Sequence, residues 1–318
     1  MPRPNVHPEL QAAAHKIPSF SFGPVSLKLI RLLSKLPRPS ALTPELLDAV
    51  EVRDLAVPAT GDAPAIPLRV YRPKAATGPT PVLYWIHGGG YIIGDFSIND
   101  ASCAGYARDL GLTVVSVDYR LAPDHPFPAP LEDCYAGLRW VKAEAGTLGV
   151  DSGRIAVGGS SAGAGLAAAL AQWAHDRDEI AIAFQLLIYP MLDDRTALSP
   201  EKDKVKRLVW SRGSNRFGWK SYLGRFYGAR TMPEGAAAGR RADLRGLPPA
   251  WIGVGELDLF HDEDVAYAHR LREAGVDCEL LVVPGAFHGF DLAGAVPIVE
   301  AFSASQRAAL KAHLFPTG

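Results

Sequence analysis

The sequence predicts an α/β fold, a mostly parallel central sheet with helices on both faces and a helical cap. Three observations carry that reading. Short apolar runs alternate with longer helical runs through most of the chain, the pattern of a parallel sheet flanked by helices. Residues 81–86 are almost continuously apolar, as a strand buried on both faces is. The glycine-rich turns that carry reactive side chains fall directly after strand-like runs, at the end of the sheet where ligands bind in open parallel folds.

Composition sets the bounds. At 318 residues, 48% hydrophobic and 21% charged, the chain has enough apolar surface for one large core. A net charge of −1 gives no general attraction to nucleic acid or to a membrane surface. Cys103, Cys134 and Cys278 are scattered and form no C-x-x-C pair, so we expect reduced structural thiols in a cytoplasmic protein, and neither a disulfide framework nor a zinc site. The proline-punctuated start has no apolar core of a signal peptide, and no run reaches 18 apolar residues, so stable membrane insertion is not expected.

Taken in order, residues 1–48 read as a polar, proline-punctuated prelude with two or three helices. A helix over 25–36 places Leu29, Leu32, Leu33 and Leu36 at helical spacing, with Lys28, Arg31 and Lys35 interleaved. Such a helix is expected to lay its leucines over the same protein rather than on a membrane. Thr43-Pro44-Glu45 opens the next helix, with a capping hydroxyl followed by proline at the first helical position. Strands over 50–57, 66–72 and 81–86 follow without helices between them and suggest an antiparallel edge. Helix 99–110 then leads to strand 113–118, helix 131–145 to strand 154–157, and helix 162–175 to strand 181–189. After an interruption come strand 250–254, helix 263–274, strand 278–283 and helix 297–314. The catalytic domain is therefore expected over 49–190 and 248–318.

The interruption, 191–247, is expected to be an inserted cap segment. From Arg195 to Arg245 it holds 13 Lys or Arg against 4 Asp or Glu, together with Trp210, Phe217, Trp219, Tyr222, Phe226 and Tyr227. The charge reads as a solvated face and the aromatics as the segment's own core, with one or two lining a pocket.

Chemistry enters with Gly159-Ser160-Ser161-Ala162-Gly163, a G-x-S-x-G between a strand and a helix. The turn is sharp enough to strain its central residue, and it lifts the Ser161 hydroxyl clear of the backbone at a helix N-terminus. Ser160 fails the same pattern, because Ala162 stands where its downstream glycine should be, and it is expected to play a structural part beside the site. The motif alone arises by chance in on the order of one in five chains this rich in glycine.

His87-Gly88-Gly89-Gly90 is rarer, roughly one chance occurrence in a hundred such chains. Three adjacent glycines cost backbone entropy, and acyl transfer needs N–H donors aimed at an oxyanion. Gly88, Gly89 and Gly90, with Ala162 N–H just after the nucleophile, are the candidate oxyanion hole, and His87 is expected to hold the loop. A serine needs a base. Among nine histidines, with His87 read as structural, His288 stands apart: it follows a strand in the loop Pro284-Gly285-Ala286-Phe287-His288-Gly289-Phe290. The orienting carboxylate is expected in Gly255-Glu256-Leu257-Asp258, with Asp258 first, Glu256 second, Asp193 and Asp194 distant thirds, and Asp262 and Asp264 read as helix-start residues.

These motifs, together with Asp118-Tyr119-Arg120-Leu121-Ala122-Pro123-Asp124-His125-Pro126-Phe127-Pro128 and His288-Gly289-Phe290, resemble the hormone-sensitive-lipase-like (family IV) esterases of the α/β-hydrolase superfamily, in their bacterial branch. The chain order Ser161, Asp258, His288 is that of the α/β-hydrolases. The resemblance spans most of the chain. It implies a serine carboxylesterase acting on esters with short to medium acyl chains, with water as co-substrate and no cofactor or metal. Ser160 stands where the family usually has Asp, Glu or Thr, and Asp124 where Glu is commoner. An amidase, lactonase or carbamate hydrolase could use the same triad. A receptor that has lost catalysis is the reading from another class; plant gibberellin receptors resemble this family and lack the catalytic histidine, which His288 supplies here. No nucleic-acid partner is expected, and the prelude and a sheet edge leave room for a homodimer.

Overall fold

The eight expected strands form one sheet in the computed structural model, which describes residues 5–17, 21–34, 36, 40–61, 64–199 and 208–315. Three helices precede the sheet: α1 (Gln11–Lys16), α2 (Pro24–Leu33) and α3 (Pro44–Ala49). Then come β1 (Val50–Val57), β2 (Ile66–Pro73), β3 (Thr80–Ile86), α4 (Asp100–Leu110) and β4 (Thr113–Val117). The centre is α5 (Ala129–Ala143), α6 (Ala145–Leu148), β5 (Val150–Ser160), α7 (Ala162–Arg177) and β6 (Phe184–Ile188). After α8 (Arg195–Leu198) and α9 (Arg212–Leu223), the chain closes with β7 (Ala250–Gly255), α10 (His261–Glu273), β8 (Cys278–Val283) and α11 (Pro297–Leu314).

The strand order is β1-β2-β4-β3-β5-β6-β7-β8. From β4 to β8 every pairing is parallel, while β2 runs antiparallel to both β1 and β4. The antiparallel edge is therefore β1 and β2 alone. β3 lies inside, between β4 and β5, which explains its seven buried residues.

Alternation along the strands divides the core into two layers. Val82, Tyr84 and Ile86 of β3 join Leu131 and Leu138 of α5, Leu166 and Leu170 of α7, and Tyr267 and Leu271 of α10. Leu83 and Trp85 point the other way, to Cys103 and Tyr106 of α4, Phe302 and Leu310 of α11, and Leu10 near the N-terminus. Each large apolar side chain buried this way contributes roughly 1.5–3 kcal/mol. Cys103, Cys134 and Cys278 are all free and buried. In α7, 12 of the 16 residues are buried, and its run of alanines and glycines lets it lie close against the sheet.

The expectation for α2 is reversed. Leu27 is its buried residue, whereas Val25, Leu29, Leu32, Leu33 and Leu36 are all more than half exposed. The cause is Arg31, one helical turn beyond Leu27 on the same face. Its guanidinium donates to Ile92 O (2.9 Å) and Ala122 O (2.6 Å) and pairs with Asp124, which turns the leucines outward. Lys35 lies outside the described residues, as does the stretch 200–207 with four of the insertion's 13 Lys and Arg.

Within the rest of the insertion, arginines are held by neighbours. Arg195 pairs with Asp193, Arg240 with Asp194, Arg241 with Asp176 and Arg245 with Asp243. Trp210, Trp219 and Tyr222 are buried, and Phe217, Phe226 and Tyr227 pack against the same core. Among the described residues no helix is long and apolar enough to cross a membrane.

Candidate active site

Loops at the C-terminal ends of β3, β5, β6, β7 and β8 meet at one point. β5 is followed at once by Ser161, whose φ of 57° and ψ of −120° are a strained conformation for a residue with a side chain. Its neighbours hold that strain. Ser161 N–H donates to Ile188 O (2.9 Å), and Ser161 O accepts from Gly165 N–H and Met191 N–H (3.0 Å each). A Cβ at Gly163 would stand 2.0 Å from Ile86 O, so the helix can begin this close to β3 only with glycine there.

The hydroxyl is the first of three groups in a row. Ser161 Oγ lies 3.0 Å from His288 Nε2, and His288 Nδ1 lies 2.8 Å from Asp258 Oδ2. Asp258 Oδ1 accepts from Phe260 N–H at 2.9 Å. All three residues are at most 6% exposed, so water competes little for these hydrogen bonds. Phe260 and Tyr189 meet the imidazole edge-on, at centroid distances of 5.2 and 4.7 Å.

The loops carrying Asp258 and His288 are stitched to each other. Glu256 N–H donates to Val283 O, Leu257 N–H to Ala286 O, and Gly285 N–H to the Glu256 carboxylate, each within 2.9 Å. Glu256 therefore braces the loop and does not reach His288. Asp193 and Asp194 are committed to Arg195 and Arg240. Asp262 and Asp264 sit in the first turn of α10 as expected. Burial pushes the Asp264 carboxyl well above the usual carboxylate range, and both of its oxygens lack a hydrogen-bond partner among the described residues.

The glycine loop faces the serine from β3. Gly89 and Gly90 have φ of 117° and 60°, open to glycine, and among the described residues their N–H groups donate to no backbone carbonyl. A Cβ on Gly90 would meet the Trp210 ring at 2.1 Å. Trp210 in turn packs on Phe22 (5.6 Å between centroids), so the N-terminal segment and the insertion meet over this loop. A Cβ on Gly88 would lie 2.9 Å from Ser160 O and 3.2 Å from Ser160 Oγ, which places Ser160 against the loop. Ala162 N–H belongs to the first turn of α7, where the helix provides no internal acceptor.

His87 is fully buried, stacked on Tyr119 (4.3 Å), with Nδ1 2.7 Å from Gly88 O. Burial pushes its pKa down to about 4, so a neutral ring holds the loop through that contact. Asp118 beside it is pushed up to about 6 by burial, with Asp95 adding to the shift. The sequence did not single out Tyr189, Phe260 or Asp291, whose carboxylate accepts from Tyr189 Oη at 2.8 Å. Their position just past the ends of β6, β7 and β8 was the available signal. Among the described residues, no group of three or more His, Cys, Asp or Glu side chains could hold a metal ion.

The comparisons agree with this geometry. A family profile described as alpha/beta hydrolase fold matches residues 83–292. The chain is 36% identical to carboxylesterase NlhH of Mycobacterium tuberculosis, over 98% of this chain and 97% of that protein. It is also 36% identical to an ethyl acetate hydrolase of Pseudomonas putida, over 74% of this chain and 75% of that protein. Among solved structures, one described as a bacterial heroin esterase superposes with a TM-score of 0.87 at 38% identity, covering 98% of both chains. A profile that takes in strands β3 to β8, with relatives aligned along nearly their whole length, places this chain in the α/β-hydrolase fold family, in its hormone-sensitive-lipase-like branch.

Proposed function

We propose that Ser161, His288 and Asp258 are the catalytic triad of a serine carboxylesterase for esters with short to medium acyl chains. Carboxylic ester hydrolysis itself follows from the family and from relatives named as carboxylesterases. The observation that carries the triad is the unbroken row from Ser161 Oγ through His288 to Asp258, in a buried site at the end of a strained turn.

His288 Nε2 takes the Ser161 proton as Oγ attacks the ester carbonyl. The oxyanion that forms is met by the N–H groups of Gly89, Gly90 and Ala162, with Gly88 behind them, and such fixed donors are commonly the largest single catalytic contribution. Protonated His288 then passes its proton to the leaving alcohol, and Asp258 keeps the ring oriented and stabilises its charge. Water repeats the cycle on the acyl-enzyme. Residues 1–48 and 191–247 act as the cap that meets the acyl and alcohol groups, and Trp210 packed on Phe22 is where the two segments close over the glycine loop.

The test is hydrolysis of p-nitrophenyl esters from acetate to palmitate by wild type and Ser161→Ala. We expect turnover to peak at short or medium chains and to fall roughly 10³-fold or more in the variant, with Tm unchanged. A folded Ser161→Ala that keeps wild-type turnover excludes this assignment.

A further inference from the structure

We propose that Tyr189 is a positioning residue for His288: its strained turn, tied to Asp291, sets the plane of the imidazole and its distance from Ser161. The inference rests on the triad reading above and adds to it a side chain that acts through the base. Asp258 alone leaves the plane of the ring open. Its carboxylate holds Nδ1, one corner of the imidazole, and the torsion that turns a histidine ring is broad by itself. The neighbours of the ring must therefore fix it.

Tyr189 directly follows β6 and is 4% exposed. Its φ is 37°, a value that bulky side chains rarely adopt, and Pro190 after it would ordinarily drive it to extended backbone. Two hydrogen bonds hold it there. Its N–H donates to Gly253 O of β7 (2.7 Å), and its hydroxyl donates to Asp291 (2.8 Å), three residues beyond His288 in the same loop. The ring between these two ties meets the imidazole at 4.7 Å and 64°, and Phe260 meets it at 5.2 Å and 86°. Phe260 is itself fixed by its N–H on Asp258. Backbone outliers that surrounding bonds hold in place gather at sites where placement matters.

The same turn grips the nucleophile. Ile188 O accepts from Ser161 N–H (2.9 Å), and Met191 N–H donates to Ser161 O (3.0 Å). Residues 188–191 therefore hold Ser161 by its backbone and His288 by its ring. One short segment spans the 3.0 Å between Oγ and Nε2 from both ends. Without the tie to Asp291 the turn can relax toward extended backbone and carry the ring off the imidazole.

The test reads ring placement and chemistry separately. Proton NMR follows the His288 Nδ1–H that donates to Asp258, assigned by its loss in His288→Gln, and p-nitrophenyl acetate hydrolysis gives kcat and KM. Tyr189→Leu should lower kcat roughly 10- to 100-fold with KM within about twofold, since a misplaced base weakens the transition state and not binding. Its Nδ1–H signal should broaden through exchange with water. Tyr189→Phe and Asp291→Ala cut the tie but keep the ring, and each should lower kcat roughly threefold to tenfold. Their double variant should lose no more than either alone. Asp291→Asn, whose amide oxygen still accepts from the hydroxyl, should lose less than Asp291→Ala. A residue that merely supports the fold would lower Tm and leave both the Nδ1–H signal and the kcat of folded protein unchanged. If Tyr189→Leu does not fold, the two single variants and their double decide alone. Wild-type kcat and a wild-type signal in the folded Tyr189 variants, or additive losses in the double variant, overturn the proposal. No hydrolysis by wild type would remove the esterase reading, and the NMR signal would still decide whether Tyr189 places the ring.

Discussion

The loops after β7 and β8 are joined to each other by four hydrogen bonds, one of them between Asp258 and His288 themselves. Helix α2, near the mouth of the proposed site, is held by one buried leucine and one arginine and turns four large apolar residues toward solvent. The first region holds the His288 ring between Ser161 Oγ and Asp258 Oδ2, and such placement needs backbone bonds that do not slide. The second borders the segment after the glycine loop, through Ile92, and there a small number of strong anchors leaves the helix easier to displace. Local stability is set by the number of buried contacts and protected hydrogen bonds, and on both counts α2 is the weaker element.

The largest effect should come from the stitched region. Asp258→Asn keeps the oxygen that accepts from Phe260 N–H, so the loop should survive and Tm should hold. The amide offers its other side to His288 with the wrong hydrogen-bond polarity, and kcat should fall by about 10²–10⁴ with the fold intact. A loss below tenfold would mean that the rigid placement of Asp258 contributes little, and the contrast with the mouth would lose its functional meaning.

An intermediate effect is expected at α2. Leu27→Ala removes its one buried anchor and should lower the local opening free energy of the helix by about 2–4 kcal/mol in native-state hydrogen exchange. Leu29→Ala and Leu32→Ala, on the exposed face, should change it by less than about 0.5 kcal/mol. Equal effects at Leu27 and Leu29 would show that the outward leucines are covered in solution and that the mouth is more firmly built than its contacts indicate.

These regions also differ in how far the sequence discloses them. The juxtaposition of Ser161 and His288 was legible because the chemistry proposed for them demands particular residues in particular backbone conformations, and those demands leave short motifs. Asp258 was separable from Glu256 only by preference. The structure places Asp258 on His288 and Glu256 on Gly285 N–H, a distinction that depends on loop path. The facing of α2 was not legible. Its leucines have the spacing of a buried stripe, and only the long reach of Arg31 to Ile92, Ala122 and Asp124, from 61 to 93 residues away in sequence, reverses the helix. The position of β3 in the sheet and the edge contact of Tyr189 with His288 are likewise tertiary, and no local pattern encodes them.

The smallest effect, and the one that links the two regions, lies at Glu263. It sits in the first turn of α10, five residues past Asp258, and accepts from Leu192 N–H (2.8 Å), Asp193 N–H (3.2 Å) and the Thr196 hydroxyl, where the chain leaves β6 for the insertion. Burial raises its pKa from the ordinary 4.5 to about 8, against the opposing pull of those three donors. Between these values the folded protein keeps a proton that the unfolded chain has released. The stability this contributes is therefore complete below about pH 4.5 and is lost as pH rises toward 8. Glu263→Gln keeps the acceptor for both N–H groups and removes the titration. Asp118, raised to about 6, and His87, lowered to about 4, titrate alike in both proteins, so their contributions cancel in the difference. The Tm of wild type relative to Glu263→Gln should therefore drift downward by on the order of a few degrees from pH 4.5 to 8 and level off beyond. A difference that stays flat across that window would mean the carboxylate is already ionised, held by its three donors. The junction between the stitched base and the insertion would then be as firmly fixed as the loops of Asp258 and His288.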